Sequence, residues 1–119
     1  MADLEKSERF YTETLGLSRV TYIEFGEGPG ALEKVILTVP EQAAGMAQLN
    51  LIRYPNLPVP TPGEAVFGFM VDNIEATMSA VVAAGGQIAV PLQEIPDHRL
   101  KLSFITDPEG HMIEILHSF

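Results

Sequence analysis

Phe69-Met70-Val71-Asp72-Asn73-Ile74-Glu75-Ala76-Thr77 passes from an apolar stretch into a helix start. Asn73 is a good helix cap, and Glu75 suits the positive end of the helix dipole. Ile74, Met78, Val81 and Val82 then fall on one helical face until Gly85-Gly86 ends the run. Asp3-Leu4-Glu5-Lys6-Ser7 repeats the Asn73–Thr77 pattern seventy residues earlier, and Leu15-Gly16 falls on Gly85-Gly86 at that offset. Gln48-Leu49-Asn50-Leu51 resembles Met112-Ile113-Glu114-Ile115 at an offset of 64, with a length change in the intervening loops. The repeated unit reads strand, helix, strand, strand, strand. One copy alone leaves a sheet face bare, and pairing two copies buries it.

Outward from the repeat, the first helix is expected from Asp3 to Leu15, with Leu4, Ser7, Tyr11 and Leu15 on one face and Phe10 at its margin. Strands are expected at Arg19–Phe25, Lys34–Val39 and Gln48–Tyr54, with a hairpin loop at 26–30 and another loop at 40–46. Residues 55–63 hold four of the nine prolines and read as a stiff linker, so module one spans 1–54 and module two 64–119 of a single domain. In module two, strands are expected at Val66–Val71, Gln87–Val90, Arg99–Thr106 and Met112–Leu116. Pro91–Pro96 is expected to loop, and Asp107-Pro108-Glu109-Gly110 to turn tightly. Module one has only Met1 and Ala2 where module two has the strand before its helix. A strand is thus absent from this sequence: either the sequence starts late or another chain supplies the strand, and since the open sheet edge invites pairing, a homodimer is expected.

The chain has 119 residues, 46% of them hydrophobic, which suits a folded domain with a real core. Sixteen acidic against seven basic side chains give a net charge of −9, which disfavours nucleic acid and anionic membrane as partners. Without cysteine, disulfides, thiolate metal sites and cysteine nucleophiles are excluded. No apolar stretch reaches the roughly 18 residues of a membrane span, and Met1–Lys6 has no leader character, so a cytoplasmic protein is expected.

Three stretches resemble the vicinal oxygen chelate superfamily, which includes glyoxalase I, bleomycin-resistance proteins and extradiol dioxygenases. They are Asp3–Tyr11 with Leu15-Gly16-Leu17, Phe69–Ile74 with Ala83-Ala84-Gly85-Gly86, and Thr106–Ile115. The resemblance implies an α+β fold of paired βαβββ modules whose mixed sheet curls around a cleft. It also implies metal ligands on the first and last strands of each module. Glu114 matches one such position. Asn50 stands where a glutamate is usual and Val66 where a histidine is usual, and the fourth position lies on the absent strand. That set is poor for zinc, nickel, manganese or iron, so no tightly held metal is expected, with Glu114 as metal ligand only if one binds.

Alternation places Gln48, Asn50 and Ile52 on one cleft wall and Val66, Gly68 and Met70 on another, with Met112, Glu114 and Leu116 beside them. Phe104, Tyr22 and Tyr54 are expected to add aromatic surface, and Phe67, Phe69 and Val71 to pack under the helix. Such a lining suits a small organic ligand. Glu114 carries the chemistry if there is any, as base or ligand anchor, unless Arg53, Arg99 or Lys101 pairs with it. His98, His111 and His117 show no ligand spacing and read as solvated. Three functions follow from the resemblance: a small-molecule-binding protein, a metal-dependent glyoxalase-like lyase or isomerase using Glu114, or a dimeric scaffold with a vestigial cleft.

Overall fold

The computed structural model describes residues 1–40, 48–63 and 65–119, so most of the loop expected at 40–46 lies outside the described residues. The fold is α+β. The chain divides into two compact units, Met1–Thr61 and Pro62–Phe119, with the division inside the proline-rich stretch.

In the first unit, Asp3 caps α1 (Leu4–Arg9), its carboxylate accepting the Lys6 amide at 3.0 Å. The α-helix expected to reach Leu15 instead widens into a π turn over Phe10–Thr14. A π turn shifts the helical face by a fraction of a turn, so the adjacent Phe10 and Tyr11 both point inward. Each is 2% exposed, and their rings meet edge to face with centroids 5.3 Å apart. An antiparallel sheet follows in the order β1 (Ser18–Phe25), β2 (Leu32–Thr38), β3 (Leu49–Arg53). Its β1–β2 connection is the expected glycine-rich hairpin. Val35, Leu37 and Leu51 are buried on the sheet face that α1 covers.

The second unit contains β4 (Phe67–Met70), α2 (Ile74–Ala83), β5 (Gln87–Ile95), β6 (Leu100–Thr106) and β7 (Met112–Ser118). The sheet order is β4-β7-β6-β5, with β4 parallel to β7 and the other pairs antiparallel. Asn73 caps α2 through the Ala76 amide, as its residue type predicts. Ile74 and Val81 of α2 are buried, as are Ser103, Ile105, Ile113 and Ile115 of the strands it packs on, whereas Val82 is exposed, beyond the edge of the covered stripe. Residues 91–96 do not loop out as expected. β5 runs through Pro91 to Ile95, because β5 is an edge strand and its register breaks between Val90 and Gln93. A proline costs no ladder bond at such a place.

The repeat persists in backbone detail. The Val71 amide donates to Leu116 O at 2.8 Å, and the Met1 amino group donates to Ile52 O at 2.7 Å. These residues correspond at the same two sequence offsets, so Met1 stands where Val71 stands. Among the described residues no strand lies beside β3 as β4 lies beside β7.

Gly85 and Gly86 have different duties. Gly85 takes the left-handed conformation that closes α2, at φ +92°. Gly86 lies against β6, where a Cβ would overlap Thr106 O and stand 2.8 Å from Val81 Cγ1. Gly86→Ala is therefore expected to destabilise the second unit by about 1–3 kcal/mol, read by urea unfolding. Gly30→Ala, in open space at an ordinary φ, is expected to cost far less.

Candidate functional site

Glu114 lies in the middle of β7, between Ile113 and Ile115, which are fully buried beneath α2. Alternation therefore directs it to the opposite face of the sheet. Its neighbours on that face are fixed by register. Gly68 pairs with it from β4 and Phe104 from β6, while Leu116 is flanked by Met70 and Leu102. Six residues expected to line a site, Gly68, Met70, Phe104, Met112, Glu114 and Leu116, thus share one face. The carboxylate is half-buried. Among the described residues, no hydrogen bond or ion pair reaches it.

The basic residues considered as partners are engaged elsewhere. Arg53 pairs with Glu33 at 3.0 Å, Lys101 with Glu75 at 3.0 Å, and Arg99 Nε donates to Phe119 O at 2.6 Å. Val66 precedes β4 and is exposed, so it does not extend that strand's wall as expected. Phe67 is also half-exposed and does not pack fully under the helix. Asn50 and Ile52 do share a face in the first unit, opposite buried Leu51, while Gln48 lies just before β3. Tyr22 pairs with Val35 on the α1-covered face, away from Asn50, and Tyr54 follows β3 in a turn.

Only His98 fits the reading of three solvated histidines. His111 Nδ1 is 2.8 Å from Asp107 Oδ2, and Asp107 is a buried carboxylate that also accepts the Glu109 and His111 amides. His117 has a buried Nδ1 without a hydrogen-bond partner among the described residues. It lies on the opposite face from Glu114, as alternation predicts.

A second feature was not visible in the sequence. In the first unit a cavity of about 710 Å³ opens between α1 and the sheet, lined by Glu8, Arg19, Tyr22, Glu33 and Arg53 among others. Arg19 reaches Glu8 through Nε at 2.7 Å and Nη2 at 3.1 Å, and lies over the Tyr22 ring at 5.6 Å. Arg19 and Tyr22 would face opposite ways in a regular strand. A register shift between Arg19 and Thr21 inserts an extra residue and turns both to the helix side. The Tyr22 hydroxyl stands 2.6 Å from both Glu24 and Glu33, which face each other across β1 and β2. Hydrogen bonding to Glu24, then to Glu33, raises the Tyr22 hydroxyl well above the usual phenol range. The same hydroxyl, with Arg53, holds Glu33 below the usual carboxylate range.

The model of the Glyoxalase/Bleomycin resistance protein/Dioxygenase superfamily matches residues 1–115. A probable lactoylglutathione lyase of Vibrio parahaemolyticus is 29% identical over 119 residues, covering 99% of this chain and 85% of the relative. A glyoxalase family protein from Bacillus cereus superposes with a TM-score of 0.83 at 18% identity, over 98% of this chain and 87% of that one. A glyoxalase I variant from Zea mays gives a TM-score of 0.78 at 20% identity, with 98% of this chain matching 43% of that one. The two structures establish likeness of fold. Among the described residues, no helix is long and apolar enough to cross a membrane.

The Tyr22 network carries a pH signature. A raised phenol favours folding at ordinary pH and loses that contribution as pH climbs through its elevated folded value. A lowered carboxylate contributes above 4.5, its ordinary value, and loses that contribution as pH falls. Ultraviolet titration should show a tyrosine ionising above the ordinary phenol value of 10.0, and Tyr22→Phe should remove that transition. A high-pH transition that survives unchanged in Tyr22→Phe would contradict this assignment.

Proposed function

The chain belongs to the Glyoxalase/Bleomycin resistance protein/Dioxygenase superfamily, and we propose that it binds a small organic molecule on the Glu114 face of its second unit. The observation that carries this reading is a half-buried carboxylate without a partner among the described residues, set among Gly68, Phe104, Met112 and Leu116. A carboxylate partly removed from water and left unpaired is unfavourable for folding alone. A ligand that supplies a partner offsets that cost.

The residues present do not fit a divalent ion. Among the described residues, no group of three or more His, Cys, Asp or Glu could hold one. On the Glu114 face the flanking side chains are apolar and offer at most methionine thioethers, soft donors that suit neither zinc nor nickel, and a single carboxylate is a weak site for either ion. A second reading is lyase activity, favoured by the name of the Vibrio relative. In that reading Glu114 serves as the base that moves a proton. Self-association through the open edge of β3 belongs to the same proposal, since an unpaired edge is a pairing surface.

Protein purified without chelator is expected to carry metal well below one equivalent by elemental analysis. One equivalent whose loss follows Glu114→Gln would overturn the metal-free reading. Thermal-shift screening should find small organic ligands that stabilise the wild type, by about 2.7 kcal/mol at 100 times the dissociation constant. Glu114→Gln should weaken that stabilisation. Lactoylglutathione lyase turnover in the wild type, abolished in Glu114→Gln, would instead establish the second reading.

A further inference from the structure

We infer that the ligand is an organic monocation, with its ammonium group seated against Glu114 in the slot left open by Gly68 and its apolar body against Phe104. The inference rests on the binding reading above and narrows it to one class of molecule.

Gly68 is the first ground. It lies inside β4 as the register partner of Glu114, and it is not among the glycines with positive φ. A Cβ there would stand 3.6 Å from Glu114 Oε1 and 3.8 Å from Leu116 Cδ1, which is ordinary contact. Neither backbone conformation nor packing demands a glycine, although glycine weakens a strand. What glycine leaves is room for one methyl-sized group directly beside a carboxylate oxygen.

The walls of the slot are the second ground. Phe104 is directly opposite Glu114 across β6 and β7, and such pairs lie about 4.5–5.5 Å apart at Cβ. Leu102, Met112 and Leu116 continue the apolar surface. Lys101, the basic residue on the neighbouring strand, turns to the α2 side and pairs with Glu75. An anionic ligand would meet Glu114 in repulsion, on a chain already at −9. A neutral ligand can offer the carboxylate at best a neutral hydrogen-bond donor, a weaker partner than a cation. A primary ammonium group pairs with the carboxylate by a charge-assisted hydrogen bond and meets the Phe104 ring as a cation. Its hydrocarbon part covers the leucine and methionine side chains.

The test uses the full chain and three probes of similar size: benzylammonium, benzyl alcohol and benzoate. Binding is read at pH 7 by NMR, with the methyl resonances of Met112 and Leu116 as reporters. Benzylammonium is expected to bind at least tenfold more tightly than benzyl alcohol, and benzoate more weakly than both. Glu114→Gln should abolish the preference for benzylammonium over benzyl alcohol. Gly68→Ala, whose Cβ fits without displacing a neighbour, should keep or raise the thermal midpoint yet weaken benzylammonium at least fivefold. Equal affinity for benzylammonium and benzyl alcohol, with both shifting these methyls, would overturn the monocation and leave the binding site standing. An unaltered benzylammonium affinity in Gly68→Ala would overturn the slot. Failure of all three probes to shift these methyls would count against the site itself.

Discussion

The burial of Ile113 and Ile115 beneath α2 is the constraint on which the placement of Glu114 depends. Both are fully buried, and burying an isoleucine side chain stabilises by about 1.5–3 kcal/mol. β7 is also bonded on both sides, parallel to β4 and antiparallel to β6. Slipping β7 by one residue would expose both isoleucines, drive Glu114 into the core and misalign two ladders together. The carboxylate therefore has one available face, and the same register that fixes it there places Gly68 and Phe104 on its flanks.

The first unit obeys the same constraint with different chemistry. Leu51 is buried as Ile115 is, and Asn50 occupies the repeat position of Glu114. Ile36 stands opposite Asn50 as Phe104 stands opposite Glu114. An amide beside an aliphatic side chain has replaced a carboxylate beside a ring. The burial of the inward leucine or isoleucine leaves the outward residue free to differ, so a common scaffold carries a carboxylate at this position in one half and an amide in the other.

Period-two alternation was legible wherever a strand was regular. It placed Glu114, Met112 and Leu116 together and set His117 on the other face, because one buried face suffices to orient a strand. Irregular backbone was not legible. The extra residue near Val20 brings Arg19 over Tyr22, and no residue type near it announces a bulge. The π turn at Phe10–Thr14 moved Phe10 from the margin of a face to full burial, since a strict 3.6-residue period cannot express a widened turn. Pro91 misled in the other direction. A proline ends a central strand, but β5 lies at an edge, and whether a strand is central depends on sheet order. The Asp107–His111 contact was likewise hidden, because it depends on how the turn folds its carboxylate back onto its own amides.

Four of the seven basic residues are engaged away from Glu114, and this gives the Glu114 face its character. Arg19, Arg53 and Lys101 each meet an acid, with side chains 48%, 39% and 27% exposed. Ion pairs at such exposure contribute at most about 1 kcal/mol each, so they do not account for the stability of the fold. They do hold cations in place. Arg19 and Arg53 lie with their acids around the first unit's cavity, and Lys101 is drawn to the α2 side of the second sheet. Arg99 is tied to the backbone carbonyl of Phe119. With these cations held elsewhere, the carboxylate on the apolar face of the second sheet keeps a negative potential that these side chains do not neutralise. A low-dielectric wall strengthens that potential toward a ligand in contact with it. Glu114 is thus distinguished by its place, a carboxylate that register holds among apolar side chains.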